Sequence, residues 1–501
     1  MQKWILVALF VILVGIRVPL LDNPLFGRHS FRQTQTAMTA YWFAKEGIKL
    51  PDYQLPVFGK PWSAPMEFPT FQIFVSGLYK LGVPPDFGAR ASALLSYVMA
   101  VGLVILILKR LDATFFMVLA FMILATFSPF GIYWSAASLI EFTTVSLGMG
   151  YLLFALRAYQ GSKPWLELIS LMVLGAMLSV TKVTTFPIFA APVAGLGLLQ
   201  LWENWNSSKR KIDAGLIRKV VFWGLALGVP LVLGVIWVKV SDGIKASSEP
   251  TVWLTSKDMG VWNYGPLSER LDLILWAKIV GRISVWIIGG AVPFLGYGLW
   301  RIVRTSKLMA IVLGGSVAGI GVVILVFFNL YAVHDYYLCA AFLTILMVTA
   351  FGIDEVSRRF PQARLEPYLA GGIAVLCIGV SLATGYITKN GEPEGESIMK
   401  AAEAVRQLTP PDAELMVFVG TWSPALPYYC QRKAYMVSLL SERGHPYPRG
   451  SMRIGYVKDY VKNQKPHFLL VDDLNKELAF SVIPSAKELN RTPPFTLFEI
   501  Q

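Results

Sequence analysis

Charge is scarce in this chain: of its 501 residues only 15% are Asp, Glu, Lys or Arg, while 55% are hydrophobic. So few polar side chains cannot cover that much apolar surface in water, which excludes the soluble protein of three or four domains that this length would otherwise suggest. A bilayer can solvate such a surface. Cysteine is scarcer still. Cys339 and Cys377 sit in apolar runs and Cys430 stands alone far away, so neither a disulfide framework nor a cysteine metal motif follows from the three. Acid is outnumbered, 32 Asp and Glu against 45 Lys and Arg, for a net charge of +13. In a membrane chain that excess reads as basic cytoplasmic loops and not as a nucleic-acid partner. No internal repeat is visible. The start has one early Lys3, a long apolar run and no small-residue cleavage site, so it reads as a retained first helix and not a cleaved signal peptide.

What is present is a series of apolar runs of crossing length, about eleven of them. They cover approximately residues 4–20, 91–108, 115–134, 142–158, 166–181, 186–202, 220–240, 279–300, 310–330, 336–353 and 368–387. The basic clusters Lys109–Arg110, Arg157 with Lys163, Lys209–Lys219, Arg301–Lys307 and Arg358–Arg364 all fall on the same side as the N-terminus. Short loops rich in Lys and Arg stay cytoplasmic, so this reading puts the N-terminus inside and, after an odd number of crossings, the C-terminus outside. The expected fold class is therefore a polytopic α-helical membrane protein of about 11 transmembrane helices, spanning residues 1–388, with a small C-terminal extracytoplasmic α/β domain at 389–501. In that tail, helices are expected at Ser397–Leu408 and Ile454–Gln464, and strands at Glu414–Val419, Lys433–Leu439 and His467–Val471, in a parallel sheet. It carries no nucleotide-binding motif.

The outer loop at residues 22–88 has its own pattern. Ser30-Phe-Arg-Gln33 matches a capping box and Gly47 a C-terminal stop, which predicts a helix between them lying in the membrane interface. The following apolar run Phe71–Val83 is short for a crossing and reads as interfacial or re-entrant. Ionisable residues gather where the runs meet the outer side: Arg90, Glu141, Lys182, Lys278 with Arg282, and His334-Asp335-Tyr336-Tyr337. One such group alone is ordinarily a side chain snorkelling to the headgroups. Several helices bringing them to one side point to a shared polar cavity.

These residues together resemble the GT-C glycosyltransferases that use polyprenyl-phosphate-linked sugars, especially the aminoarabinose-transferase and protein O-mannosyltransferase branch. The resemblance covers Met1–Thr388 and rests on the order of several pieces. The interfacial helix ending in Lys45-Glu-Gly47 is followed by Met66-Glu-Phe-Pro69. Phe87-Gly-Ala-Arg90 then opens a span, and Ser128-Pro129 runs through to Glu141. Ser179-Val-Thr-Lys182 and His334-Asp-Tyr-Tyr337 complete the series. It implies a lipid-linked sugar donor, an acceptor that is a glycan, lipid or protein, membrane lipids as surroundings, and a site facing the periplasm of a bacterial inner membrane. One departure matters. The family carries an acidic residue early in the interfacial helix, assigned as catalytic, whereas this chain reads His29-Ser-Phe-Arg-Gln-Thr-Gln-Thr36, with Gln35 where relatives have Asp.

Transfer from a lipid phosphate needs a base for the acceptor hydroxyl and cations for the departing phosphate. Glu67 and Glu141 are the candidate catalytic carboxylates, with Asp335 and Asp52 behind them. Lys182, Arg90, Arg282, Arg32 and His334 are candidates for the donor phosphate. His29, Gln35, Asp335 and Tyr336 are candidates for the acceptor side. A divalent metal stays open, since the His and acidic residues lack ligand spacing. Two other readings remain at this stage: a lipid-linked substrate transporter or flippase, and a non-catalytic membrane protein whose outer domain binds a partner.

Overall fold

The computed structural model describes residues 2–161, 163–387, 395–419, 422–437 and 454–501. The chain divides into two compact units, one of residues 1–22, 90–236 and 263–389, the other of residues 23–89, 237–262 and 390–501.

The first unit is helical. Among the described residues eight helices are long and apolar enough to cross a membrane: Gln2–Leu20, Pro85–Arg110, Pro164–Thr181, Phe186–Ser207, Ala214–Ala246, Lys307–Val326, Asp335–Arg359 and Glu366–Thr384. Leu273–Ile287 and Val292–Ile302 make a ninth if the pair counts as one span; they meet at 106°, the geometry of a broken span or a re-entrant loop. The sequence reading has one continuous run there. The chain breaks it at Gly289 and Gly290, both left-handed at φ +57° and +87°, with Pro293 opening the second piece. The two remaining apolar runs take other forms. Phe115–Phe127 is a 13-residue helix that stops at Ser128, whose hydroxyl caps the short Pro129–Trp134 helix by accepting from Gly131 N. The Glu141–Tyr159 helix is 19 residues long and carries Glu141 and Arg157 within it.

Close packing without a hydrophobic drive between helices needs small residues. Gly315 and Gly319 form a GxxxG stripe against the helix Phe186–Ser207: a Cβ on either would lie 2.8 Å from a backbone atom of Pro192 or Ile188. Gly298 and Gly352 do the same between Val292–Ile302 and Cys339–Arg359.

The second unit joins the outer loop to the tail. Five strands, β1 Glu414–Phe418, β2 Lys433–Val437, β3 Phe468–Asp472, β4 Ala486–Thr492 and β5 Phe495–Ile500, form one sheet in the order β2-β1-β3-β5-β4. β2, β1 and β3 are parallel, as alternating strands and helices predict, while β5 and β4 return antiparallel. The tail helices form at Gly395–Leu408 and Ile454–Gln464. The polar residues 388–394, and residues 438–439 of the strand expected at Lys433–Leu439, lie outside the described residues. Met416, Phe418, Tyr435, Leu469 and Val471 alternate onto one face and bury Val457 and Tyr460 of the Ile454–Gln464 helix. The free edge of β2 is covered by the outer loop: Ala434 N donates to Pro56 O and Met436 N to Val57 O, both at 3.0 Å. An edge capped in this way cannot recruit another strand.

Within the same unit the outer loop folds as helices Ser30–Glu46 and Thr70–Lys80. The first has the expected extent, but the capping box does not form. His29 takes the N-cap position with a left-handed backbone, Ser30 is already helical, and the Gln33 amide donates to Arg28 O. Most of this helix is buried, including Met38 and Trp42.

Candidate active site

In the first unit the chemistry starts from a single pair. Lys182 ends the Pro164–Thr181 helix and Glu141 opens the Glu141–Tyr159 helix; Lys182 Nζ lies 2.6 Å from Glu141 Oε1. Both side chains are nearly buried, and Glu141 Oε2 has no hydrogen-bond partner among the described residues. Lys182 also stands over the Tyr337 ring at 4.3 Å and the Tyr336 ring at 5.8 Å, and those two rings stack at 4.8 Å. His334 packs on Tyr336 at 5.3 Å. A cation held by a carboxylate and two aromatic faces is fixed in place.

Asp335 is fixed by a relay. The Trp134 indole N–H donates to Tyr386 Oη at 2.9 Å, and the Tyr386 hydroxyl donates to Asp335 Oδ2 at 3.1 Å. Cys339, buried, feels the charges of Glu141, Lys182 and Asp335. Lys278 is within range of Arg282 and Asp335.

Two of the three arginines expected at the donor phosphate commit donors to the backbone. Arg90 Nη1 donates to Ala136 O at 2.8 Å, and Arg282 donates to Tyr331 O at 2.8 Å and Val333 O at 3.3 Å. Residues 135–140 are buried and non-helical, so their carbonyls need partners from elsewhere. Arg17 serves carbonyls outside that segment and one hydroxyl within it. Fully buried, it donates to Ser135 Oγ at 2.7 Å and to the carbonyls of Leu13, Thr126 and Ala125, with its guanidinium 4.9 Å from the Tyr97 ring. Sequence reasoning passed over Arg17, although an ionisable residue inside the first apolar run was signal enough. Tyr386 and Trp134 carried no such signal, because their partner is set by tertiary packing.

In the second unit Glu67 sits on a pinned strip of backbone. The Tyr53 hydroxyl donates to Glu67 O at 2.7 Å and accepts from Met66 N at 2.8 Å. Ser241 Oγ donates to Pro65 O at 2.7 Å, and the Trp237 indole to Met66 O at 3.2 Å. The Glu67 carboxylate, half-buried, accepts from the Gln72 amide at 3.4 Å and lies within range of Lys245. Burial, reinforced by the Glu67 charge, holds the Tyr53 hydroxyl well above its ordinary pKa. Arg32 Nη1 donates to Gln35 Oε1 at 2.8 Å, so the Gln35 amide is engaged by the neighbouring guanidinium. Asp52 accepts from the Ser63 hydroxyl. Glu67, Arg32, Gln35 and His29 thus belong to one unit, and Glu141, Lys182, Arg90, Arg282, His334, Asp335 and Tyr336 to the other.

No family model and no curated protein matches the sequence. Solved structures do match in fold. ArnT from Cupriavidus metallidurans bound to undecaprenyl phosphate aligns with TM-score 0.66 at 16% identity, over 100% of this chain and 98% of that one. The Archaeoglobus fulgidus oligosaccharyltransferase, a complex with Zn and sulfate, gives 0.54 at 13% over 96% of this chain and 69% of its own. The arabinofuranosyltransferase AftD from Mycobacteria gives 0.59 at 13%, over 100% of this chain and 40% of that larger one. This chain has the GT-C fold. At such identities the likeness is one of architecture. Among the described residues no group of three or more His, Cys, Asp or Glu side chains gathers as metal ligands, so no step is derived through a metal.

Proposed function

We propose that this protein is a membrane glycosyltransferase that moves a sugar from a polyprenyl-phosphate donor to an acceptor hydroxyl on the extracytoplasmic side. The observation that carries the reading is fold likeness over the whole chain to ArnT, a structure that holds undecaprenyl phosphate. The nearly buried Lys182 beside stacked tyrosines supports it with a suitable cation. In this reaction the acceptor oxygen bonds to the anomeric carbon, the bond from that carbon to the phosphate oxygen breaks, and the base takes the hydroxyl proton. Lys182 stabilises the lipid phosphate as it leaves.

Glu67 is the proposed base. Glu141 is already engaged, with its Oε1 2.6 Å from Lys182 Nζ. Glu67 has no ammonium in contact among the described residues: it accepts from an amide at 3.4 Å, on a backbone held by three side chains. The proposed setting is a bacterial inner membrane with the N-terminus cytoplasmic and the C-terminus periplasmic. Eleven crossings require both Phe115–Trp134 and Glu141–Tyr159 to span together with the nine helices that length and apolarity identify. Hexose or pentose as the sugar, and glycan, lipid or protein as the acceptor, are the alternatives within this reading. The test is to incubate the purified protein with labelled polyprenyl-phosphate sugars and follow release of lipid phosphate. No release from any such donor, with acceptor extracts supplied, would count against a transferase.

A further inference from the structure

A second anion site lies at the other end of the helical unit. The span Asp335–Arg359 begins beside the Lys182 cluster and runs 25 residues, which at 1.5 Å per residue carries its C-terminal end about 37 Å away. There it meets the end of Val292–Ile302 around a hollow of about 800 Å³. Four arginines and one glutamate line the hollow and Asp354 pairs with one of them, leaving two positive charges uncompensated.

The arginines divide by partner. Arg301 and Arg358 both pair with Glu355, and Arg358 also reaches Asp354 at 3.0 Å. Arg304 instead rests its guanidinium 4.1 Å over the Trp300 ring, and Arg359 is exposed. Neither has a carboxylate partner among the described residues. Trp300 and Phe360 on the rim are 52% and 56% exposed, at the level where a span ends. Amphipathic aromatics at that level belong in the headgroup layer, and an arginine fork beside them matches the two non-bridging oxygens of a phosphodiester. A loop that merely fixes topology needs basic residues but no hollow and no aromatic rim.

We infer that this hollow binds the phosphate of an anionic phospholipid, with Arg304 and Arg359 as its ligands and Trp300 and Phe360 against the glycerol and upper acyl chains. The inference is independent of the transfer reaction. Charge favours it over a zwitterionic lipid, because an ammonium headgroup would meet the same arginines. The full chain in phosphatidylcholine nanodiscs doped with phosphatidylglycerol, examined by native mass spectrometry, should retain one phosphatidylglycerol. Arg304→Ala with Arg359→Ala should lower that retention about tenfold or more, and the double Lys variant should recover only part, since it keeps charge but not the fork. Lys209→Ala with Lys211→Ala, exposed basic residues of another loop, should change nothing. Equal loss in that control, equal retention of phosphatidylcholine, or displacement of the lipid by inorganic phosphate at comparable concentration would each overturn the assignment. The Lys variant keeps the test open if the Ala variant proves unstable.

Discussion

Replacing Lys182 by Met separates the two things that its contact with Glu141 could mean. At 2.6 Å and an effective dielectric near 20, the gross attraction of the pair is about 6 kcal/mol. Desolvation of both groups offsets most of this, so the pair adds little net stability over an apolar replacement. Breaking it is another matter. Lys182→Met leaves Glu141, with only 5% of its side chain exposed and one oxygen already unpartnered, as a buried charge, at a cost of about 3–5 kcal/mol. Glu141→Gln is milder, because Lys182 keeps its aromatic faces. The double variant Lys182→Met with Glu141→Gln removes both charges and should regain most of the stability that the first change loses.

Donor binding should not follow stability. If Lys182 holds the donor phosphate, one charge-assisted contact of about 1.5–3 kcal/mol goes with it, and Kd rises about tenfold to a hundredfold. The double variant should therefore melt close to the wild type and still bind a polyprenyl-phosphate sugar weakly. Thermal unfolding in detergent, paired with titration of a fluorescent polyprenyl phosphate, reads both quantities on the same samples. A double variant that regains donor affinity along with its melting temperature would refute the phosphate role and leave Lys182 as a partner for Glu141 alone.

Glu67→Gln keeps shape and removes the base, so turnover should fall about a hundredfold or more while donor Kd is unchanged; near-normal turnover, with Glu141→Gln inactive and donor still bound, would reverse the two carboxylates. Tyr53→Phe removes a donor to Glu67 O and an acceptor for Met66 N, which should cost about 1–3 kcal/mol and lower kcat more than donor affinity. Burial raises the Tyr53 pKa in the folded protein above its unfolded value of about 10. Its contribution to stability is therefore complete below that pH and declines as pH rises above it, so the melting-temperature gap between wild type and Tyr53→Phe should narrow in alkali. An external reporter enzyme should be active when fused at Gln501 and inactive within residues 209–219; the reverse would place the proposed site in the cytoplasm.

The helices were legible because a bilayer imposes one strong rule, a long apolar run. Where the run is interrupted the rule is blind. Gly289–Gly290 and Ser128–Pro129 each sit within an uninterrupted stretch of high hydropathy, and the chain bends or restarts at both. The tail shows the opposite failure. The strands β1, β2 and β3 are apolar and were read correctly, but β4, Ala486-Lys-Glu-Leu-Asn-Arg-Thr492, is an exposed edge with polar side chains on both faces and no alternation to detect. β5 pairs with it across Pro493–Pro494, so missing one strand concealed the mixed character of the sheet.

The candidate site was legible as a set of residues and not as a set of bonds, and that difference decides what each residue can do. Sequence placed Arg90, Arg282 and Lys182 in one class, cations near the end of a span. Their partners separate them. A buried, irregular backbone segment must have its carbonyls satisfied, and an arginine reaches several at once, so Arg90 and Arg282 are drawn to the chain by the same polarity that made them look like phosphate ligands. Lysine has a single compact head. In Lys182 it faces a carboxylate oxygen and two ring faces, contacts to side chains and not to the backbone. Of the cations named from sequence in the helical unit, it is the one seen on a carboxylate and aromatic rings, the surroundings of a point charge, and its substitution tests the proposed reaction most directly.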